Sequence, residues 1–313
     1  MIFSTDHYFQ IGHAHYTAGK PCQDHALSRS NGSVACAIVS DGCSSGGNTD
    51  VGARVLTLGT LQAIRDHARA PNGTLASAEV SITARQQQII SAARPILGLE
   101  QNDMLATCAY VYLTGEGGLV RVHGDGVVAW KYHNGDVSMR RYDWAGNMPF
   151  YPSYEGPDLD AFVRYHGDDT QAMRLTEQAI VRRANGSYDC FASIGHSLAQ
   201  GIAGISIEIS PAHLAQLEYI AVFTDGVTQI DGVDWRCAVS DFLSFKSTAG
   251  EFAKRRMIRG IRDMQKIGKG PIDDISYAVV RIQPETETET EESSWGLQPQ
   301  EGPSALSLMD AGR

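Results

Sequence analysis

Residues Val34–Gly52 read VACAIVSDGCSSGGNTDVG, and their reading decides the fold. Val34-Ala35-Cys36-Ala37-Ile38-Val39 is an uninterrupted apolar run with the composition of a strand buried on both faces. It stops at Ser40-Asp41-Gly42 and passes through a Gly/Ser-rich loop into a helical pattern. A carboxylate therefore sits where a core strand ends. The placement recurs: Tyr219–Phe223 runs into Thr224-Asp225-Gly226, and Asp273-Asp274 stands before Ile275–Val280. If the three strands are neighbours, their acids converge.

Carboxylates crowded at the edge of a core repel one another and resist desolvation unless protons or cations compensate. Oxygen ligands alone select hard divalent ions, magnesium or manganese. A single Asp-Gly after a strand also suits an ordinary turn, in which Asp caps its own backbone and Gly takes positive φ. Repetition at three strands shifts the reading toward a metal cluster.

The chain has 313 residues, 42% of them hydrophobic and 20% charged, as in a globular protein with a substantial core. A net charge of −10 argues against a nucleic-acid or anionic-membrane partner. MIFSTDHYFQ lacks a basic start and a long apolar run, so no secretory signal is expected. No apolar stretch reaches the ~18–20 residues of a membrane span. The six cysteines are scattered without Cys-x-x-Cys, which fits a reducing, cytoplasmic setting better than a disulfide framework. A monomer is expected.

Along the chain, residues 7–40 read as strands, with His13, His15 and a turn at Gly19-Lys20-Pro21 between them. Asn48 or Thr49 is expected to cap a helix with the stripe Val51, Val55, Leu58, Leu61 and Ile64. A second helix is expected from Leu75 to Arg94, ended by Pro95. Strands at 105–113, 118–130 and 137–141 suggest an antiparallel meander, broken at Gly124-Asp125-Gly126 by a bulge or close backbone approach. Residues 143–190 are the least regular and read as a lid beside the site. Two helices, 235–245 and 248–267, precede a closing strand over 275–282; the second presents Lys254, Arg255, Arg256, Arg259 and Arg262. The domain is expected to span 1–283, followed by an acidic, low-complexity tail over 284–313 that reads as disordered.

In order and spacing, Gln23-Asp24, Ser40-Asp41-Gly42, Gly124-Asp125-Gly126, Phe223-Thr224-Asp225-Gly226 and Asp273-Asp274-Ile275-Ser276 resemble the motifs of type 2C, metal-dependent protein phosphatases. The likeness covers residues 10–282. It implies an α+β fold: a four-layer αββα sandwich of two mostly antiparallel sheets flanked by helices. It implies that Asp41 bridges two Mg²⁺ or Mn²⁺ ions, with the Gly42 carbonyl holding the second. By the same resemblance Asp24 joins the ligands, Asp225 and Asp273 hold the first ion, and Asp125 falls where bacterial relatives bind a third. The implied reaction is hydrolysis of phosphoserine and phosphothreonine in a phosphoprotein substrate, with a partner kinase as a further expected interactor. A bridging water attacks phosphorus with no covalent enzyme intermediate.

The chain departs from the family pattern at several positions. Gln23 replaces the usual Glu, and Lys20 stands near the place of a phosphate-gripping Arg, where it supplies a point charge without the bidentate contact. Cys43-Ser44-Ser45 follows Asp41-Gly42, so the family's His general acid is absent there and His15 or His25 is the substitute. Asp274 replaces the usual Asn. The alternative reading is a non-catalytic, phosphatase-shaped regulator that binds a phosphoprotein or partner. Ile194–Ala199 approaches a nucleophile elbow, but Ala199 replaces its second Gly and His213 follows Ser197 too closely for the remaining triad elements. A calcium loop from Asp41 fails because Cys43 and Ser45 occupy ligand positions.

Overall fold

A computed structural model describes residues 1–155, 159–165, 167–201 and 204–285. The elements in chain order begin with β1 (Ile2–Gln10), α1 (His13–Ala18), β2 (His25–Ser30) and β3 (Ala35–Ser40). Helices α2 (Thr49–Arg69) and α3 (Leu75–Leu97) follow, then β4 (Cys108–Thr114), β5 (Gly117–His123), β6 (Gly126–Tyr132) and β7 (Val137–Trp144). After α4 (Leu159–Tyr165) come β8 (Arg174–Arg182), β9 (Tyr188–Cys190), β10 (Ile194–Ser197) and β11 (Ile205–Ile209). The chain closes with α5 (Pro211–Leu214), β12 (Leu217–Phe223), α6 (Trp235–Phe242), α7 (Phe252–Gln265) and β13 (Ile275–Gln283).

The strands form two antiparallel sheets, ordered β1-β13-β12-β6-β7-β8-β10 with β9 on β8, and β11-β5-β4-β3-β2. The alternation within β3 explains why both its faces are apolar. Ala35, Ala37 and Val39 face the other sheet, meeting Val128, Ile220, Val222 and Val280, while Cys36 and Ile38 pack beneath Leu56 and Ile64 of α2 and Ile82 of α3. On the far side, Phe223, Tyr277 and Val279 of the larger sheet bury Phe242 of α6 and Met257 of α7. The order is helix pair, sheet, sheet, helix pair, the expected four-layer αββα sandwich.

Five local expectations need correction. Between β1 and β2 the chain forms the short helix α1 rather than continuous strand, closed by Gly19 in the left-handed region at φ 66°. In α2 the buried face is Ala53, Leu56, Thr60, Leu61 and Ile64, whereas Leu58 is 55% exposed. Small residues take the core positions because α3 approaches closely: a Cβ on Gly59 would lie 3.3 Å from Ile89. Helix α3 continues through Pro95 to Leu97 rather than ending before the proline.

The fourth and fifth corrections concern residues 118–190. β5 pairs with β4 in the smaller sheet and β6 pairs with β12 in the larger one, so the break at 124–126 is a crossing between sheets, not a bulge in a meander. Gly124 and Gly126 make it with φ of 100° and 126°. The described residues of 143–190 include regular structure: β8 pairs along β7, and Phe150, Tyr154 and Phe162 pack into the inter-sheet core. The irregular sequence there marks an aromatic cluster, with Phe150 and Phe162 edge to face at 5.1 Å. The segment still borders the expected site through Asn147, Pro149 and Tyr151.

Candidate metal centre

The strand ends deliver their acids to one place. Asp41 follows β3 and is held by Thr107, whose hydroxyl accepts the Asp41 N–H at 3.0 Å and whose N–H donates to the Asp41 carbonyl at 2.8 Å. Gly42 is not at positive φ. It is glycine because a Cβ would meet the Thr49 carbonyl oxygen at 2.6 Å. Likewise at Gly226, after Asp225, a Cβ would lie 1.8 Å from the Asp274 carbonyl oxygen. The Asp-Gly pairs after β3 and β12 therefore record close backbone approach rather than a left-handed turn.

Asp225 opens a single 3₁₀ turn and accepts the Gln229 side-chain amide at 2.7 Å. Asp24 precedes β2 and is buried; one of its oxygens accepts the Thr224 hydroxyl at 2.6 Å, while the other, Oδ1, has no hydrogen-bond partner. Asp125 occupies the crossing between sheets, where the indole N–H of Trp144 donates to the Gly124 carbonyl at 3.0 Å. Asp273 is partly exposed, and its Oδ1 lies 3.8 Å from His15 Nδ1.

A cleft of about 170 Å³ is lined by Asp41, Gly42, Asp125, Asp225 and Asp273 together with His15. No lysine or arginine lines it among the described residues. A larger cavity, about 640 Å³, lies against the His13 and Tyr16 side of α1 and contains one carboxylate, Asp231, so the acid chemistry belongs to the smaller cleft.

Burial pushes Asp24, Asp41 and Asp125 well above the ordinary carboxylate range. At Asp41 the charges of Asp24, Asp225, Asp125 and Asp273 push in the same direction. Asp225 is raised first by burial and then by Asp273, against a hydrogen bond from the Asp41 carboxyl. Without cations, burial and mutual repulsion thus disfavour the charged forms of these carboxyls together. Divalent cations solve the same repulsion, and an all-oxygen donor set fits hard ions such as magnesium or manganese. Asp24 Oδ1 and Gln23 Oε1 are likewise buried without a hydrogen-bond partner, although neither residue lines the cleft.

The remaining expected residues divide. His15 reaches the cleft from α1, its Nδ1 on Asp274 Oδ2 at 2.8 Å. Lys20 lies on the rim, exposed, with Nζ donating to the Ser44 carbonyl at 3.2 Å. His25, the other proposed substitute acid, is turned away: it bonds Thr57 on α2 at 2.6 Å and packs on Phe9. Burial there lowers its pKa to about 4. Gln23 directs its amide nitrogen to Thr49 Oγ1 at 2.7 Å.

Asp274, which stands in place of the usual Asn, is a structural clamp. Its carboxylate accepts the backbone N–H of Gly12 at 2.7 Å and of Gln23 at 2.6 Å, besides the His15 ring. Thr107, Thr224 and Gln229 are supports that carry no local sequence signal, because their partners are distant in sequence or one turn away. Only Thr224, directly before Asp225, lay within a motif.

Residues 11–144 match the family model of protein phosphatase 2C. Among solved structures, serine/threonine phosphatase Stp1 from Staphylococcus aureus aligns at TM-score 0.52 and 10% identity, covering 91% of this chain and 96% of that one. A bacterial serine phosphatase aligns at the same TM-score and identity over 91% of this chain and 99% of its own. No curated protein matches the sequence. Residues 11–144 therefore resemble protein phosphatase 2C in sequence, and the described chain is similar in fold to these bacterial phosphatases.

Proposed function

We propose that this chain is a metal-dependent protein phosphatase acting on phosphoserine and phosphothreonine. One observation carries the reading: Asp41, Asp125, Asp225 and Asp273, from four separate stretches, share one cleft without a lysine or arginine. Asp24, Asp41, Gly42, Asp225 and Asp273 would hold two Mg²⁺ or Mn²⁺ ions, and Asp125 would serve a third. Bound there, the ions supply Lewis acidity that activates water near neutral pH and offsets phosphate charge.

The chain's own residues then hold and orient. Thr107 fixes the Asp41 backbone from both sides, Gln229 fixes the Asp225 carboxylate, and Thr224 fixes Asp24. With His15 Nδ1 on Asp274, Nε2 is the ring nitrogen left to protonate the departing serine or threonine oxygen. Lys20 at the rim supplies a point charge that attracts the phosphoester without gripping it bidentately. No side chain is required as a nucleophile. A kinase that forms the phosphoester follows as a functional counterpart. The six free cysteines suit a reducing compartment, and among the described residues no helix is long and apolar enough to cross a membrane.

The test is manganese- or magnesium-dependent hydrolysis of p-nitrophenyl phosphate and of a phosphothreonine peptide. Wild type turns both over, chelator stops it, and Asp41→Asn or Asp225→Asn lowers kcat/KM at least ~100-fold, since even outer-shell changes at metal sites cost 10–100-fold. A second reading, a phosphoprotein-binding regulator, is favoured by the neutral Gln23 and by Lys20 being tied to a carbonyl. It wins if no divalent ion supports turnover while manganese still raises the melting temperature.

A further inference from the structure

Away from the cleft, the outer helix pair carries a basic pocket that the proposed chemistry does not use. Phe245 and Phe252 meet edge to face at 5.0 Å, and Lys246, Arg255, Arg256 and Arg259 complete a hollow of about 90 Å³ with no acidic residue in its lining. The nearby acids are mostly engaged elsewhere. Glu251 pairs with Lys254 at 2.9 Å and Asp263 with Lys266 at 2.7 Å; Asp241 lies 3.8 Å from Arg256. Arg255 donates to the Ala249 carbonyl at 2.6 Å. Lys246, Arg255 and Arg259 make no ion pair among the described residues.

We propose that the acidic run of this chain's own C-terminus, Glu287-Thr288-Glu289-Thr290-Glu291-Glu292, docks on this pocket along α7. The route is short. Phe245 packs on Tyr219 of β12 at 5.0 Å, and Tyr219 pairs with Arg281 of β13. The end of β13 at Gln283 lies two residues, about 7 Å, farther along the strand. From Glu285, eight extended residues span about 26 Å, enough to cross from β13 over β12 to α7.

The charge spacing matches as well. In an extended chain alternate residues share a face and recur about every 6.8 Å, so Glu287, Glu289 and Glu291, bound in that form, would present one acidic edge. Arg255 and Arg259 stand one helical turn apart, about 6 Å between their Cβ atoms, with Arg262 a further turn along. An edge of glutamates set against a row of arginines gives each cation a carboxylate it otherwise lacks.

Zero-length carbodiimide crosslinking of the full-length protein, read by mass spectrometry, tests this. The reagent joins only carboxylates and amines already in contact. The expected product is a monomer carrying a bond from Lys246 to one of Glu287–Glu292. Its yield should fall at least ~5-fold as salt rises from ~0.05 to ~0.5 M, where the screening length drops to a few ångströms. It should fall equally in Arg255→Glu/Arg259→Glu, whose melting temperature should stay near wild type because both side chains are exposed. Absence of the Lys246 product, tail crosslinks to Lys266 instead, undiminished yield in the reversal variant, or bonds found only in dimers each overturns the proposal.

Discussion

Asp41 illustrates how a residue that strains a fold can be the one on which its proposed metal site rests. Burial and four neighbouring carboxylates push its pKa well up, so its charge is costly unless a cation shares it. Removing that charge should help the metal-free protein and harm the loaded one. In chelator near pH 7, Asp41→Asn is expected to raise stability by ~1 kcal/mol, roughly 2 °C in melting temperature for a chain of this size. With manganese present the order should reverse, because the wild type gains the binding free energy and the variant does not. Paired melts with and without chelator decide the matter; a variant less stable than wild type in both would mean that Asp41 is not electrostatically strained. Asp273, partly exposed at the cleft edge, should show a much smaller gain on conversion to Asn.

At the scale of elements, the start of α2 shows what spacing in a sequence can and cannot convey. The expected cap was Asn48 or Thr49 acting on its own helix, but neither side chain caps it. Instead Asp103, fifty-five residues on, accepts the Asn48 backbone N–H at 2.6 Å and the Glu100 N–H at 2.8 Å. These bonds hold its carboxyl below the ordinary range. A depressed carboxylate stabilises the fold above its unfolded pKa near ~3.9, and the contribution is lost as pH falls through the lower folded value. Asp103→Asn should therefore cost ~1–2 kcal/mol at pH 7, since its NH₂ would oppose one of the two N–H donors. In urea titrations the gap should narrow as pH drops from about 5 toward 3; a gap independent of pH would show that charge is not what Asp103 contributes. The contrast with the acids of the cleft is instructive. Asp41 and Asp225 were legible because each terminates an apolar strand within a few residues, and Asp273 because it begins one. Asp103, Thr107 and the Asp274 clamp act across 55, 66 and more than 250 residues, and no local pattern encodes such pairings. The sheet change between β5 and β6 was hidden for a related reason. Two apolar strands separated by Gly-Asp-Gly read alike whether the second rejoins the same sheet or enters the facing one.

For the whole molecule, the cleft lies where the two sheets meet, and its acids come from both. Asp41 leaves β3 in the smaller sheet, Asp225 and Asp273 flank β12 and β13 in the larger, and Asp125 stands on the crossing between them. Without cations, like charges press these sheet edges apart; cations bound as proposed would make the same residues join them. Divalent binding should thus act as a clasp between layers rather than a local adjustment. At a metal concentration of about 100 Kd the linkage contributes ~2.7 kcal/mol to the folded state. Hydrogen exchange offers the direct reading, because sub-global openings that separate the layers expose amides in both. Manganese is expected to slow exchange in β3 and in β12 and β13 together, while the middle of α7, packed on the outer face, changes little. Asp225→Asn, a change on the larger sheet alone, should abolish the manganese effect on β3 as well as on β12. Protection confined to one sheet, or retained on β3 in that variant, would mean that the carboxylates bind their ions without coupling the layers.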